Sequence, residues 1–295
     1  MKLGVLDFGR IEEAIELAPV AEQLGYARYW LGEHQPQPSP VLMASIIASQ
    51  TAHIRVGTAG ILLHYYPPLR TAHDLHLLER AYTGRIDAGF CGGLVDSALI
   101  EIDRDGRNFP ALLAAYPERA RRFVQALRNT RGSPAFDRPV AWSEVGEDPP
   151  EIWSLGGGGR SAELAAELGL GLGYALMFTW CRDEPDVTQQ YRARFVPHPD
   201  REAAAVIVAV AGVCAETDAD ARRIADAAVA ANASFMPRIV GAPQACAAAL
   251  AALAERYAAD EIVFLQLGGP RAERARGYEL LAAACGLAPP IPPGE

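Results

Sequence analysis

Short apolar runs recur along this chain at a spacing that few folds can accommodate. They occupy residues 3–8, 29–31, 54–63, 86–90, 152–155, 172–176, 206–213 and 262–267. Most are continuous rather than alternating, as expected of strands buried on both faces. The stretches between them carry helical punctuation. Pro40 and Pro68 suit first turns, Gly25 and Gly84 suit helix ends, and Thr217 ahead of Asp218-Ala219-Asp220 suits an N-cap. Sustained βα alternation calls for a parallel sheet under helices, and eight units favour a closed barrel over an open doubly wound sheet. The expected fold is α/β, a single (β/α)8 TIM barrel, with residues 1–295 as one domain.

Local expectations follow from the same pattern. Pro19 should bend or split the helix over 11–24. The helix over 41–51 stacks Leu42, Ile46 and Ser49 on one side. Gly241-Ala242-Pro243 opens a helix with Cys246, Leu250, Leu253 and Tyr257 at helical spacing. A polar turn over 103–108 and a Pro- and charge-rich loop over 129–150, containing Trp142, are expected around the barrel mouth.

Bulk properties exclude several classes. A net charge of -9 without any long basic run argues against nucleic acid. The longest apolar run, near 203–215, is too short to span a bilayer, and the first residues lack a signal-peptide layout. Five cysteines without paired spacing suggest a reducing compartment, and neither a disulfide frame nor a zinc ribbon. The expected location is cytoplasmic.

Two stretches can carry chemistry. In Arg28-Tyr29-Trp30-Leu31-Gly32-Glu33-His34-Gln35 an apolar strand ends in a carboxylate and an imidazole, at the end where barrels place their reactive groups. His34 is the first choice for acid–base work, since a neutral imidazole can give or take a proton near pH 7. Glu33 either holds a ligand, orients His34, caps the next helix or pairs with an arginine. The second stretch is Gly156-Gly157-Gly158-Gly159-Arg160-Ser161, a glycine run between a strand and a helix, which suits a phosphate. His73 and His76 have helical i, i+3 spacing, but no third ligand accompanies them, so no metal is expected. No nucleophile-elbow sequence supports a hydrolase.

The chain resembles the bacterial luciferase-like flavin monooxygenases. The resemblance lies in Trp30-Leu31-Gly32-Glu33-His34, Arg55-Val56-Gly57-Thr58-Ala59-Gly60-Ile61, Gly84-Arg85-Ile86-Asp87-Ala88-Gly89 and the segment from Ser161 to Gly169. Ile239-Val240-Gly241-Ala242-Pro243 and Asp260-Glu261-Ile262 continue it, in family order over nearly the whole chain. The resemblance implies reduced FMN supplied by a separate flavin reductase, molecular oxygen, and a small organic substrate that receives one oxygen atom. It implies catalytic roles for His34 and Glu33. It places a non-prolyl cis peptide at Ala59-Gly60 beneath the flavin ring, Cys91 against the flavin, and the phosphate at Gly157, Gly158, Gly159, Arg160 and Ser161. Phe178, Trp180 and Trp142 become candidate substrate-wall residues. The family's barrels often pair as homodimers.

The chain also departs from the family pattern. Gly92 stands where an arginine often contacts the flavin phosphate, Gln35 follows His34 in place of a second histidine, and Gly157 and Gly158 replace serines. Leu176-Met177 replace a histidine pair, and Tyr66 replaces another histidine. Each change removes a polar handle. Two other readings therefore stay open: a deazaflavin (F420)-dependent oxidoreductase on the same barrel, and a cofactor-less barrel that serves as a binding or partner subunit.

Overall fold

The structure, a computed structural model, describes residues 1–33, 39–93, 109–132, 135–136 and 146–289. The strands are β1 (Lys2–Asp7), β2 (Arg28–Leu31), β3 (Arg55–Thr58), β4 (Ile61–Leu62) and β5 (Ile86–Cys91). They continue as β6 (Glu151–Gly156), β7 (Gly171–Ala175), β8 (Val206–Cys214), β9 (Pro237–Gly241) and β10 (Glu261–Gln266). Pairing runs in the order β1-β2-β3-β5-β6-β7-β8, and β10 pairs in parallel with both β8 and β1. Eight parallel strands therefore close into a barrel, with helices outside it.

Each expected apolar run contributes a barrel strand, with one correction and one addition. The run over 54–63 breaks in two at a cis Ala59–Gly60 peptide, leaving β3 in the barrel and β4 beside β5. β9 was not anticipated. It starts at a proline and has a mostly half-buried pattern, so it gives no apolar run. It pairs with Ala211–Cys214 of β8, beyond the reach of β7, which covers Val206 to Ala209.

Two helices correct the local reading. Ile11–Gln23 runs unbroken through Pro19. Pro19 itself is half-buried, and the helix continues past it without splitting. In Pro40–Gln50 the buried stripe is Met43, Ala44, Ile47 and Ala48, whereas Leu42 is 58% exposed. That helix is apolar almost all round, so packing against the barrel, rather than its own pattern, sets the buried side. The Thr217 cap forms as expected, with its hydroxyl accepting from the Asp220 N–H.

The barrel interior follows a two-residue period. At its N-terminal end the strands contribute charged residues: Arg28, Arg55, Asp87, Glu151 and Glu261. Arg28 Nε lies 3.1 Å from Asp87 and its Nη2 3.2 Å from Glu151, and Nη1 pairs with Glu261. Arg55 adds a 2.9 Å contact to Asp87. One layer up, Trp30 and Trp153 meet edge to face with centroids 6.0 Å apart. Trp153 Nε1 donates to Asp87 at 3.2 Å, and Arg201 lies 4.7 Å over the same indole. Glycines make room for these rings. A Cβ at Gly57 would lie 2.3 Å from Trp30, and one at Gly171 2.3 Å from Trp153. Side chains therefore fill the lower barrel, and open volume remains above them.

Glu261 is the strained member of the floor. Its Oε1 is buried without a partner among the described residues, and burial pushes its carboxyl from 4.5 up to about 7, against the pull of Arg28. Folding thus raises its proton affinity. Its contribution to stability is complete below pH 4.5 and is lost as the pH rises through about 7. Relative to Glu261→Gln, the wild type is expected to lose about 1–3 kcal/mol between roughly pH 5 and pH 8, read by urea melts at several pH values. Parallel pH profiles for the two proteins would contradict this.

Candidate functional site

A cavity of about 610 Å³ opens at the C-terminal ends of the strands and reaches down to Trp30, Ile207 and Val263. Its volume suits a small-molecule site. Its position matches the face on which barrels carry chemistry. One arc, around the C-terminal ends of β3, β5 and β6, is rich in small residues (Ala59, Gly60, Cys91, Gly93, Gly156 and Gly157), with Leu62, Tyr65 and Leu155 among them. The other arc is aromatic. Phe8 follows β1, Phe178 and Trp180 follow β7, and Phe235 precedes β9.

Glu33 lines the cavity and is only 8% exposed. Among the described residues it caps no helix and pairs with no arginine. Its Oε2 accepts from the Leu62 N–H at 2.8 Å, and its Oε1 accepts from the Tyr66 hydroxyl at 2.5 Å. Burial raises its pKa, and those two donors oppose the rise. Tyr66 thus completes a clamp from the end of β2 to the segment that follows the cis peptide. Arg119 secures that segment from outside, donating to the Leu63 carbonyl at 2.7 Å and the Tyr66 carbonyl at 2.6 Å. Nothing in the sequence singled out Arg119, because it acts through backbone carbonyls.

Cys91 lies on the same wall, with its Sγ 3.7 Å from the Gly60 carbonyl. Burial, helped by nearby Glu33, pushes its thiol up to about 12, so it stays protonated near neutrality. The glycine run borders the wall. The helix Gly159–Leu168 begins there without a side-chain cap, so its first N–H groups are available to a ligand. Ser161 Oγ donates to the Gly158 carbonyl at 2.8 Å, and Arg160 is exposed. A Cβ at Gly158 or Gly159 would meet nothing within 4 Å, so the space beside this terminus is open. At Gly157 a Cβ would lie 2.2 Å from Cys181 Sγ, so a side chain there would displace the β7 loop.

His34 and Trp142 lie outside the described residues, as does the turn over 103–108. The remaining calls are placed. Phe178 and Trp180 both line the cavity. At the substituted histidine pair, Leu176 packs between strand and helix layers while Met177 faces the cavity. A Cβ on Gly92 would lie 3.5 Å from the Tyr116 ring. His76 is buried against the Ala126 carbonyl, which makes it a packing residue. Among the described residues no three potential metal ligands gather, and no helix is long and apolar enough to cross a membrane.

The sequence profile of the luciferase-like monooxygenases matches residues 3–286. The chain belongs to that family. YwcH of Bacillus subtilis is 31% identical over 223 residues, which span 72% of this luciferase-like chain and 65% of YwcH. A luciferase-like monooxygenase of Escherichia coli is 30% identical over 70% of this chain and 62% of its own. This chain thus spans about two thirds of the length of these relatives. The crystal structure of apo-MsnO8 superposes with a TM-score of 0.85 at 30% identity, covering 98% of this chain and 99% of that one. More distant structures share the fold. They include the oxygenating constituent of 3,6-diketocamphane monooxygenase from Pseudomonas putida in complex with FMN (TM-score 0.67, 17% identity, 96% of each chain). An F420-dependent secondary alcohol dehydrogenase is another (TM-score 0.70, 13% identity, 96% of this chain and 98% of that one).

The Glu33 clamp makes a stability prediction. Glu33→Ala strands the buried Leu62 N–H and the Tyr66 hydroxyl, and should cost about 1–3 kcal/mol; Tyr66→Phe should cost about 1 kcal/mol. Urea denaturation checks both, and unchanged midpoints would remove the clamp.

Proposed function

We propose that this chain is an FMN-dependent monooxygenase that uses reduced FMN from a separate reductase, and molecular oxygen, to oxygenate a small organic substrate. One observation carries the reading: a wall rich in glycine and alanine, whose cavity lining ends at Gly156 and Gly157, is followed by an uncapped helix N-terminus at Gly158 and Gly159 just outside that lining. A flat ring can approach the backbone at Ala59, Gly60 and Gly156, while a phosphate meets the N–H groups at Gly158 to Ser161 and the charge of Arg160. These residues fit a flavin mononucleotide. Family membership and the FMN complex of the diketocamphane enzyme support the choice.

The bound flavin would supply oxygen activation. The chain's own residues bind, orient and exclude water. Gly57 and Gly171 let two indoles fill the barrel below the cavity, which excludes water from the space that they occupy. Cys91 keeps its proton and contributes surface rather than a nucleophile. Glu33 has both oxygens engaged, so it positions the wall instead of carrying protons. Acid–base work falls to its chain neighbour His34.

Anaerobic titration with dithionite-reduced FMN, followed by absorbance and fluorescence, tests the cofactor. Saturable perturbation is expected. Arg160→Ala should weaken FMN by about 5–30-fold and leave riboflavin, which lacks the phosphate, unchanged. Perturbation by reduced F420 alone would make the chain a hydride-transfer enzyme. Silence with both would make it a partner barrel. His34→Ala should lower turnover by about two to four orders of magnitude with an unchanged melting temperature; full turnover would remove His34 from the chemistry.

A further inference from the structure

The aromatic arc is built more tightly than a generic apolar wall requires. Phe178 stacks on Trp180 at 4.4 Å and 10°, and on Phe235 at 5.5 Å and 17°. Phe8 closes the group at 5.4 Å from Phe235 and 6.2 Å, edge on, from Phe178. All four line the cavity. Their backbone is fixed as well. Phe178 and Phe235 form an antiparallel bridge, with Met236 N donating to the Met177 carbonyl at 2.8 Å and Thr179 N to the Ser234 carbonyl at 2.9 Å. Arg238 holds the same loop through the Leu176 and Cys181 carbonyls, at 2.9 and 3.1 Å. Phe8 has its place because Gly32 has no side chain: a Cβ there would lie 2.2 Å from the ring. The rings are therefore ordered before any ligand arrives, which limits the entropy lost on binding.

Charge sharpens the selection. Among the described residues lining the cavity, Glu33 is the one ionisable acid and there is no lysine or arginine. Both Glu33 oxygens are occupied. Among the described lining residues no cation offsets the hydration that a carboxylate would lose on entering. Neutral hydrogen-bonding groups are available at the rim, where Asn232 and Ser234 line the cavity beside Phe235.

We infer that the Phe8–Phe178–Phe235–Trp180 wall is a substrate-recognition surface for a flat, uncharged, ring-bearing compound with a hydroxyl or carbonyl, held between this wall and the glycine-lined one. The inference rests on the reading above for what occupies the glycine-lined wall, and its test keeps the two apart.

Isothermal calorimetry on the full chain, without turnover, compares 2-naphthol with 1-decanol and 2-naphthoate. Phosphate buffer keeps the helix N-terminus occupied. The naphthol is expected to bind about ten-fold more tightly than either of the others. Phe178→Leu and Phe235→Leu, which keep the wall apolar, should each weaken naphthol about five-fold and leave decanol within about two-fold. The exposed Trp180→Leu gives a third arm that is safe for folding. Equal affinity for decanol or naphthoate, or unchanged naphthol affinity in the folded leucine variants, would overturn the inference. A repeat under reduced FMN should leave naphthol binding in place. Mutual exclusion would assign the aromatic wall to the flavin ring and overturn the inference. Naphthol discrimination without any flavin binding would uphold this surface while removing the cofactor reading.

Discussion

Edge-to-face contact between Trp30 and Trp153 inside the barrel decides where this protein has room for anything else. Two indoles on one level of an eight-stranded barrel are tolerated because Gly57 and Gly171, their register partners, present no side chains. Beneath them, first- and second-position strand residues form an ion cluster around Asp87, which also accepts from the Trp153 indole. Such a cluster is a weak source of net stability, since desolvation offsets most of the Coulomb gain. It closes one end of the cylinder with groups that bind each other, and Glu261 shows the cost in its elevated proton affinity. With the lower half filled, the cavity forms at the strand C-termini.

The mouth is asymmetric, and the asymmetry has a structural cause. On the β3–β5–β6 arc the chain turns sharply at the cis Ala59–Gly60 peptide, and the Glu33–Tyr66–Leu62 clamp holds that turn from behind. Backbone and small side chains line the cavity there. On the β1–β7–β9 side, the bridge between Phe178 and Phe235 brings large rings inward. One wall suits close approach of a planar ligand to backbone, and the other suits stacking. Tyr66 supports the wall through its phenol, which donates to Glu33.

Much of the architecture was legible in the chain. Continuous apolar runs such as those around Tyr29 and Val206 can be buried on both faces only in a parallel sheet, and eight of them with intervening helices leave a barrel as the compact solution. Glycine between strand and helix marked the start of the helix Gly159–Leu168, which has no side-chain cap. Other features were not legible. The buried side of Pro40–Gln50 is invisible in a helix that is apolar all round. β9 begins with proline and alternates weakly, so its existence depends on an edge of β8 that β7 leaves uncovered. Glu33 was legible as a carboxylate at a strand end, but its two donors, Leu62 N–H and the Tyr66 hydroxyl, come from residues about thirty positions away and were not.

By itself the sequence determined the closed βα barrel and put Glu33 and the glycine run at the C-terminal ends of its strands. These follow from periodicity, strand ends and backbone freedom, which are properties of neighbouring residues. Tertiary structure alone decided the charged floor, the Glu33 clamp, the anchoring role of Arg119 and the four-ring wall. Those depend on pairs such as Arg28 with Glu261 and Phe8 with Phe235, hundreds of positions apart. Such distances along the chain vanish only when the barrel closes, so no local pattern records them.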